Sequence, residues 1–307
     1  EKDGWVAPDL TILAEHIGKG EFVETAFQQQ PDSIFWAITG EGELVGMTYE
    51  RDQQIAGWHR HTTGQGWLLP ADGNEANRIA VRDGFESVAA IYGNEGSDEV
   101  WFLVRRTVAG GEVRYIERLR PDFRNVFENE DTANWWYLDC AASTRDDLAT
   151  FTSVANAGHL EHRRVGILND GAPQADTYVR DGAVTIAPEA NNVLVGLPYQ
   201  SVLRPMPLDM PLQDGSSQGR KARVHKIFAR FHKSLGGEYS ADGEEWNAIF
   251  TRDFADAMDE GPPVFTGEKE VYMDGGFTRK PEIVIRQWQA LPLCVLALIA
   301  RWDAYGD

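Results

Sequence analysis

From Ser33 to Arg118 apolar and polar positions alternate with a period of two, in short runs punctuated by turn residues. Ile34–Thr39 and Leu44–Tyr49 flank Gly40-Glu41-Gly42 and predict a hairpin, and Ile55–Thr62 continues the meander after the Arg51–Gln54 turn. Phe85–Tyr92, Val100–Thr107 and Val113–Arg118 supply three more strands, the last two joined across Gly110-Gly111. The Gly64–Gly84 excursion reads as a surface loop with Trp67-Leu68-Leu69 as an apolar tip. About six strands in about 85 residues match roughly one and a half propeller blades, or a small sandwich. Ahead of them, Asp9 is placed to cap a short helix over Leu10–Ile17, with Leu10, Leu13, Ala14 and Ile17 on one face.

A second section opens at Trp135–Cys140. Val165–Leu168, the Asn169-Asp170-Gly171 turn, Thr177–Val179, Ala183–Ile186 and Val193–Gly196 describe a compact β-unit. The stretch Leu197–Gln218, rich in proline and methionine, marks a boundary. Beyond it, Arg220–Phe231 fits either period, and Trp246, Ile249, Phe250, Phe254 and Met258 are spaced as on a helix. Val271–Met273, Ile283–Trp288 and Leu293–Ile299 return to strands. The fold expected is mainly β. A propeller-like β-meander, incomplete in this chain, covers residues 1–134; small barrel- or sandwich-like parts follow at 135–212 and 213–307.

Composition narrows the function more than the fold. With 42% hydrophobic and 11% aromatic residues in 307, more than one core can be buried. A net charge of −19 opposes nonspecific binding to nucleic-acid phosphates, though it suits a passage that DNA crosses without adhering. Cys140 and Cys294 allow at most one disulfide and form no Cys-x-x-Cys site. Leu291–Ala300 is too short to span a bilayer and contains Pro292, and the first residues lack a basic apolar leader. The chain starts at Glu1, and Gly4–Pro8 reads as the middle of something, so processing or a longer product is expected.

Candidate chemistry is sparse. In Trp58-His59-Arg60-His61 the histidines share one face of a strand, a geometry that takes a divalent metal when a third ligand arrives. The favoured reading is an interface strand, with Trp58 and Arg60 facing one way and His59 and His61 the other. Trp58, His59, Arg60, His61 and Trp67 are therefore the candidate interface residues, with no metal, cofactor or catalytic residue assigned. His159 and His162 would converge on a helix, but the strand that follows argues against a ligand pair. No Gly-x-Ser-x-Gly elbow, His-Glu-x-x-His helix, dinucleotide fingerprint or Walker-type loop occurs. Trp36, Trp58, Trp101, Trp135 and Trp136 would suit a sugar groove, yet tryptophan within a strand is usually core.

Several longer segments add a resemblance. Gln30–Trp36, Leu44–Gln53, Ala56–Thr62 and Val113–Leu119, in that order, are similar to a family of tailed-phage virion proteins. The similarity continues through Tyr137–Cys140, His159–Glu161, Val195–Tyr199, Phe265–Gly267 and Gln289–Leu293. The family resembled is the nozzle, or tail tubular protein B, of short-tailed phages. It implies a sixfold ring of copies at the distal tail, stacked beneath an adaptor ring and near tail fibres. Genomic DNA would pass through unbound, and the protein would reside in the virion tail. The unit around residues 159–200 resembles the first catalytic-cysteine half-domain of ubiquitin-activating enzyme; no such chemistry follows, because the adenylate-binding glycine motif is missing and Cys140 lies outside the unit. The 64–84 loop is longer than the family pattern, and the N-terminal half that such proteins carry is lacking. A carbohydrate-binding or glycan-cleaving tail protein is the alternative, and a virion-surface binding module without a channel is a third.

Overall fold

A computed structural model describes residues 9–305 except 13, 19, 51, 54, 94–95, 121–134, 207, 210, 213–214, 218 and 251–262. The described chain is mainly β, its sheets antiparallel and open. The first unit contains β1 (Phe22–Gln28), β2 (Ile34–Thr39), β3 (Leu44–Glu50), β4 (Ile55–His61), β5 (Gly66–Leu68), β6 (Ile79–Val81), β7 (Gly84–Tyr92), β8 (Asp98–Val108) and β9 (Gly111–Arg118). Strands β1-β2-β3-β4 form one sheet and β7-β8-β9 another. Their facing sides meet in a core of Trp36, Ile38, Leu44, Val88, Val100, Phe102 and Val104. This is sandwich packing, driven by period-two burial: along β8, Val100, Phe102 and Val104 point inward while their neighbours point out.

The second unit has β10 (Asp139–Arg145), β11 (Phe151–Val154), β12 (Arg164–Asn169), β13 (Ala172–Pro173), β14 (Thr177–Tyr178), β15 (Val184–Ala190) and β16 (Asn192–Leu197). Its principal sheet is ordered β10-β16-β12-β13. Both faces of β12 and β16 are covered, which explains their unbroken apolar runs. Val165, Ile167, Val193 and Val195 enter the unit's own core, whereas Leu168 and Leu194 pack with Trp135, Leu138, Leu235 and Leu291. The chain continues as β17 (Ser201–Leu203), β18 (Pro211–Leu212), β19 (Gly215–Ser216), β20 (Lys221–Ser234), β21 (Glu238–Ser240), β22 (Asn247–Ala248), β23 (Phe265–Tyr272), β24 (Val284–Gln287) and β25 (Val295–Tyr305). Here one sheet is β17-β24-β21-β22 and another is β23-β20-β25.

Three local expectations change. The described residues of 10–17 form no helix; Ala14 N–H bonds Thr11 O and Ile17 N–H bonds Ala14 O. Asp9 still accepts from Thr11 N and Oγ1, but Ala14 and Ile17 are drawn onto Val45 beside Trp58, a contact that isolated turns can reach. Gly64–Gly84 is not a free loop: β5 and β6 pair, and Leu68 and Leu69 are buried. Leu69 N–H bonds His162 O, so the supposed apolar tip inserts against the second unit. Trp246–Phe250 does not begin a helix, because Asn247 and Ala248 pair with Tyr239 and Glu238; the rest of that expected helix lies outside the described residues.

A glycine notch shapes the sandwich interior. Gly46 on β3 lies opposite His59 on β4, and a Cβ at Gly46 would sit 2.1 Å from the His59 ring. The missing side chain lets the imidazole lie across the neighbouring strand. Gly46→Ala is expected to cost about 1–3 kcal/mol through overpacking. In a His59→Ala background the same change should cost much less, which urea unfolding of the four proteins would measure; equal costs in both backgrounds would refute the notch.

Candidate functional site

The two histidines anticipated on β4 do share a face. His59 Nδ1 and His61 Nε2 are 2.7 Å apart, one ring donating to the other. Both rings pack against Trp36, at 5.7 and 5.4 Å. Burial lowers the pKa of each, and for His61 burial together with the neighbouring His59 brings it down to about 4. The pair is therefore uncharged near neutrality and belongs to the sandwich interior. Among the described residues no group of three or more His, Cys, Asp or Glu side chains is arranged to hold a metal ion.

Trp58 takes the other face. It stacks on Phe22 at 6.1 Å, meets Phe35 edge-on and donates Nε1–H to Leu10 O. Arg60 is exposed. Trp67 stands apart on β5, with the Arg78 guanidinium 4.6 Å above its ring, beside an open groove of about 590 Å³ lined by Gln65, Gly66, Ala80, Val81 and Arg82. Trp36 and Trp135 are core residues, and Trp101 bonds Glu99 under Arg118. These tryptophans line no common groove.

The most concentrated chemistry lies where the first two units meet. Asp83, between β6 and β7, is buried with Arg106 of β8 and Arg163, just ahead of β12; the two arginines are 1% and 0% exposed. Arg163 Nη1 donates to Asp83 Oδ1 and Oδ2 at 2.9 and 3.0 Å, and Arg106 Nη1 donates to Oδ2 at 3.0 Å. Glu117 of β9 accepts two bonds from Arg106 Nε and Nη2, both 2.5 Å. Backbone adds to the shell: Thr107 N–H donates to Asp83, while Thr107 O and Gly64 O accept from Arg163, whose Nε alone is buried without a partner. Two buried cations thus meet two carboxylates and fixed carbonyls, the condition under which buried charge is tolerated.

Gly64 is required there. Its φ is +57°, and a Cβ would lie 2.0 Å from Asp83 Oδ2 and 2.6 Å from Arg106 Nη1. The adjacent Thr63 Oγ1 donates to Asp139 Oδ2 at 2.8 Å. Asp139 is a third carboxylate in a cluster whose two cations are already matched. Enclosure pushes its pKa up to about 6, against the lowering influence of Arg106 and Thr63. Next to it, burial and then Glu117 raise the Cys140 thiol, which keeps it protonated and poorly nucleophilic. His159 Nε2 lies 2.9 Å from Cys140 O, and Tyr115 Oη donates to His159 O. His159 and His162 are thus engaged near the same boundary, and His162 lies 3.6 Å from Glu161.

Chemically, the cluster is a lock. Its carboxylates are spent on arginines and backbone N–H groups, and it joins β8, β9 and the β6–β7 connection to the start of β12. Sequence reasoning passed over it, although one signal was present. Arg106 occupies the next inward position after Val100, Phe102 and Val104, where only a paired charge can sit. Compared with known proteins, the chain matches no family model and no curated protein sequence.

Asp83→Asn should leave Arg163 with no carboxylate and Arg106 with Glu117 alone, and cost about 3–5 kcal/mol in urea unfolding at pH 7, whereas exposed Arg60→Ala should change stability by under about 0.5 kcal/mol. Asp139 gives a signed pH effect. Its folded value of about 6 exceeds the ordinary 3.8, so between those values the folded state holds a proton that the unfolded chain has released. Its contribution is fully present below the lower value and fades as pH rises through about 6. Asp139→Asn should remove a decline on the order of 2–3 kcal/mol between pH 4 and pH 7.5; identical pH slopes for wild type and variant would exclude this assignment.

Proposed function

We propose that this chain is a structural component of a phage tail of the nozzle or tail-tube type. In this reading it assembles with copies of itself as a ring, six by family resemblance, and serves as conduit for genome ejection and as platform for an adaptor ring and fibres. The observation that carries it is the buried two-arginine lock between the first two units. A conduit wall has to keep its parts in fixed register while a pressurised polymer passes, and a buried arginine of one unit whose partners all lie in the other opposes hinging there. The described carboxylates near the lock are engaged in structure, which suits a non-enzymatic role.

Two further features support the reading. The net charge of −19 matches a surface past which duplex DNA slides without forming contacts that must then break. The sheets end on open edges, so a propeller-like or barrel-like closure would be completed across neighbouring copies. The glycan alternative has one feature in its favour, the groove beside Trp67. The Arg78 guanidinium covers a face of that ring, which weakens it as a platform for sugar stacking.

Electron microscopy of intact particles with this chain labelled is expected to show a ring on the tail axis. Absence of the chain from infectious particles would overturn the proposal. Duplex DNA at about 0.1 M salt should migrate unchanged with micromolar protein present. Shortening of host surface polysaccharide by the purified protein would favour the alternative.

A further inference from the structure

The three-stranded sheet β23-β20-β25 has two edges of opposite character that pair with no further strand among the described residues. Strand β25 is eleven residues long, and among the described residues only β20 pairs with it. From Val295 to Ala300 it carries no charge, proline or glycine. Leu296 and Ile299 are 59% and 49% exposed. On the inward side Leu298, Ala300 and Trp302 are only partly covered by the core they join. One register shift places its extra residue, His225, in the central strand; the other places Leu296 in β25 itself, so this edge is bulged at Leu296 and regular from Ala297 to Arg301. A long apolar edge with unpaired backbone groups is a docking template that isolated proteins ordinarily protect.

The other edge, β23, is acidic. Glu268 and Glu270 project from its outer face and bond Arg230 and Lys226 of β20, with Tyr272 beside them, 64% exposed. Two copies of β23 laid antiparallel would oppose these glutamates, so this edge resists pairing with itself. Strand β25 presents Arg301 on that same outer face, above the ring of Phe228 and with no ion pair among the described residues. The two edges run in the same direction, since each is antiparallel to β20. A rotation about an axis along the strands therefore brings β25 of one copy beside β23 of the next, parallel, with Arg301 facing an acidic rim.

We infer that β25 of one copy pairs with β23 of a second copy, continuing one sheet from subunit to subunit. The choice of a second copy rests on the ring reading; the edge chemistry does not. The arrangement is head-to-tail, uses both exposed edges, and covers Leu296, Ile299 and Tyr272 together.

The full chain tests this in two ways. Ile299→Lys and Leu296→Lys alter exposed positions and should leave the thermal transition unchanged while weakening self-association at least about tenfold by sedimentation velocity. In a background with both Cys140→Ser and Cys294→Ser, Ile299→Cys with Tyr272→Cys should give a ladder beyond the dimer with a short bis-maleimide, and each single cysteine should give none. A dimer from Ile299→Cys alone would replace the inference by twofold β25 pairing. Association unaffected by the lysines would overturn it while leaving a ring built through other surfaces standing. A wild-type chain that stays monomeric at high concentration, with β25 amides exchanging freely, would overturn both.

Discussion

One carboxylate shared by two buried arginines holds the first two units in register. Asp83 accepts from Arg106 and Arg163, Glu117 closes the far side of Arg106, and the carbonyls of Gly64 and Thr107 accept from the Arg163 Nη groups, leaving its Nε unpartnered. Arg106 finds its partners within the first unit, but the partners of Arg163, which belongs to the second, all lie across the boundary. The desolvation of Arg163 is offset only when both units are in place, so this residue ties two adjacent β-structures together. Apolar contacts make the corresponding joint further along, where Leu168 and Leu194 meet Leu235 and Leu291.

That dependence explains two otherwise odd backbone features. Gly64 adopts a left-handed conformation at the point where any side chain would collide with Asp83, and Thr63 immediately before it reaches Asp139. The end of β4 is therefore shaped by groups distant in sequence. Enclosure raises the pKa of Asp139 by desolvating its carboxylate, and the like charge of Glu117 adds to this, because no cation is left to pair with it.

The strands were legible wherever packing obeys period two. The hairpin at Gly40–Gly42, β8 with β9, and the runs that became β12 and β16 appear in the order in which apolar positions fall. The strand β1 was missed because its polarity runs against its burial: Val23 and Phe27 are exposed, whereas Glu24 is partly buried and Gln28 buried. Gly64–Gly84 misled because glycine and polar content hides Leu68 and Leu69, whose burial depends on the second unit. The lock escaped notice for a related reason. Its members, at 64, 83, 106, 117, 139 and 163, are each unremarkable locally, and only the inward position of Arg106 on β8 betrays it. The histidine pair was placed on one face by alternation alone, but its enclosure against Trp36 needed the opposite sheet.

The route of β4 sets how the first unit would answer a pull. This strand leaves the histidine pair and runs straight into Thr63 and Gly64, where the second unit is fastened. Tension arriving through that fastening acts lengthwise on the β3–β4 ladder, whose register runs from Leu44 opposite His61 to Glu50 opposite Ile55. Lengthwise shear strains these bonds simultaneously, whereas peeling would break them one after another. The first sheet is thus oriented to resist traction from its neighbour with its whole ladder at once.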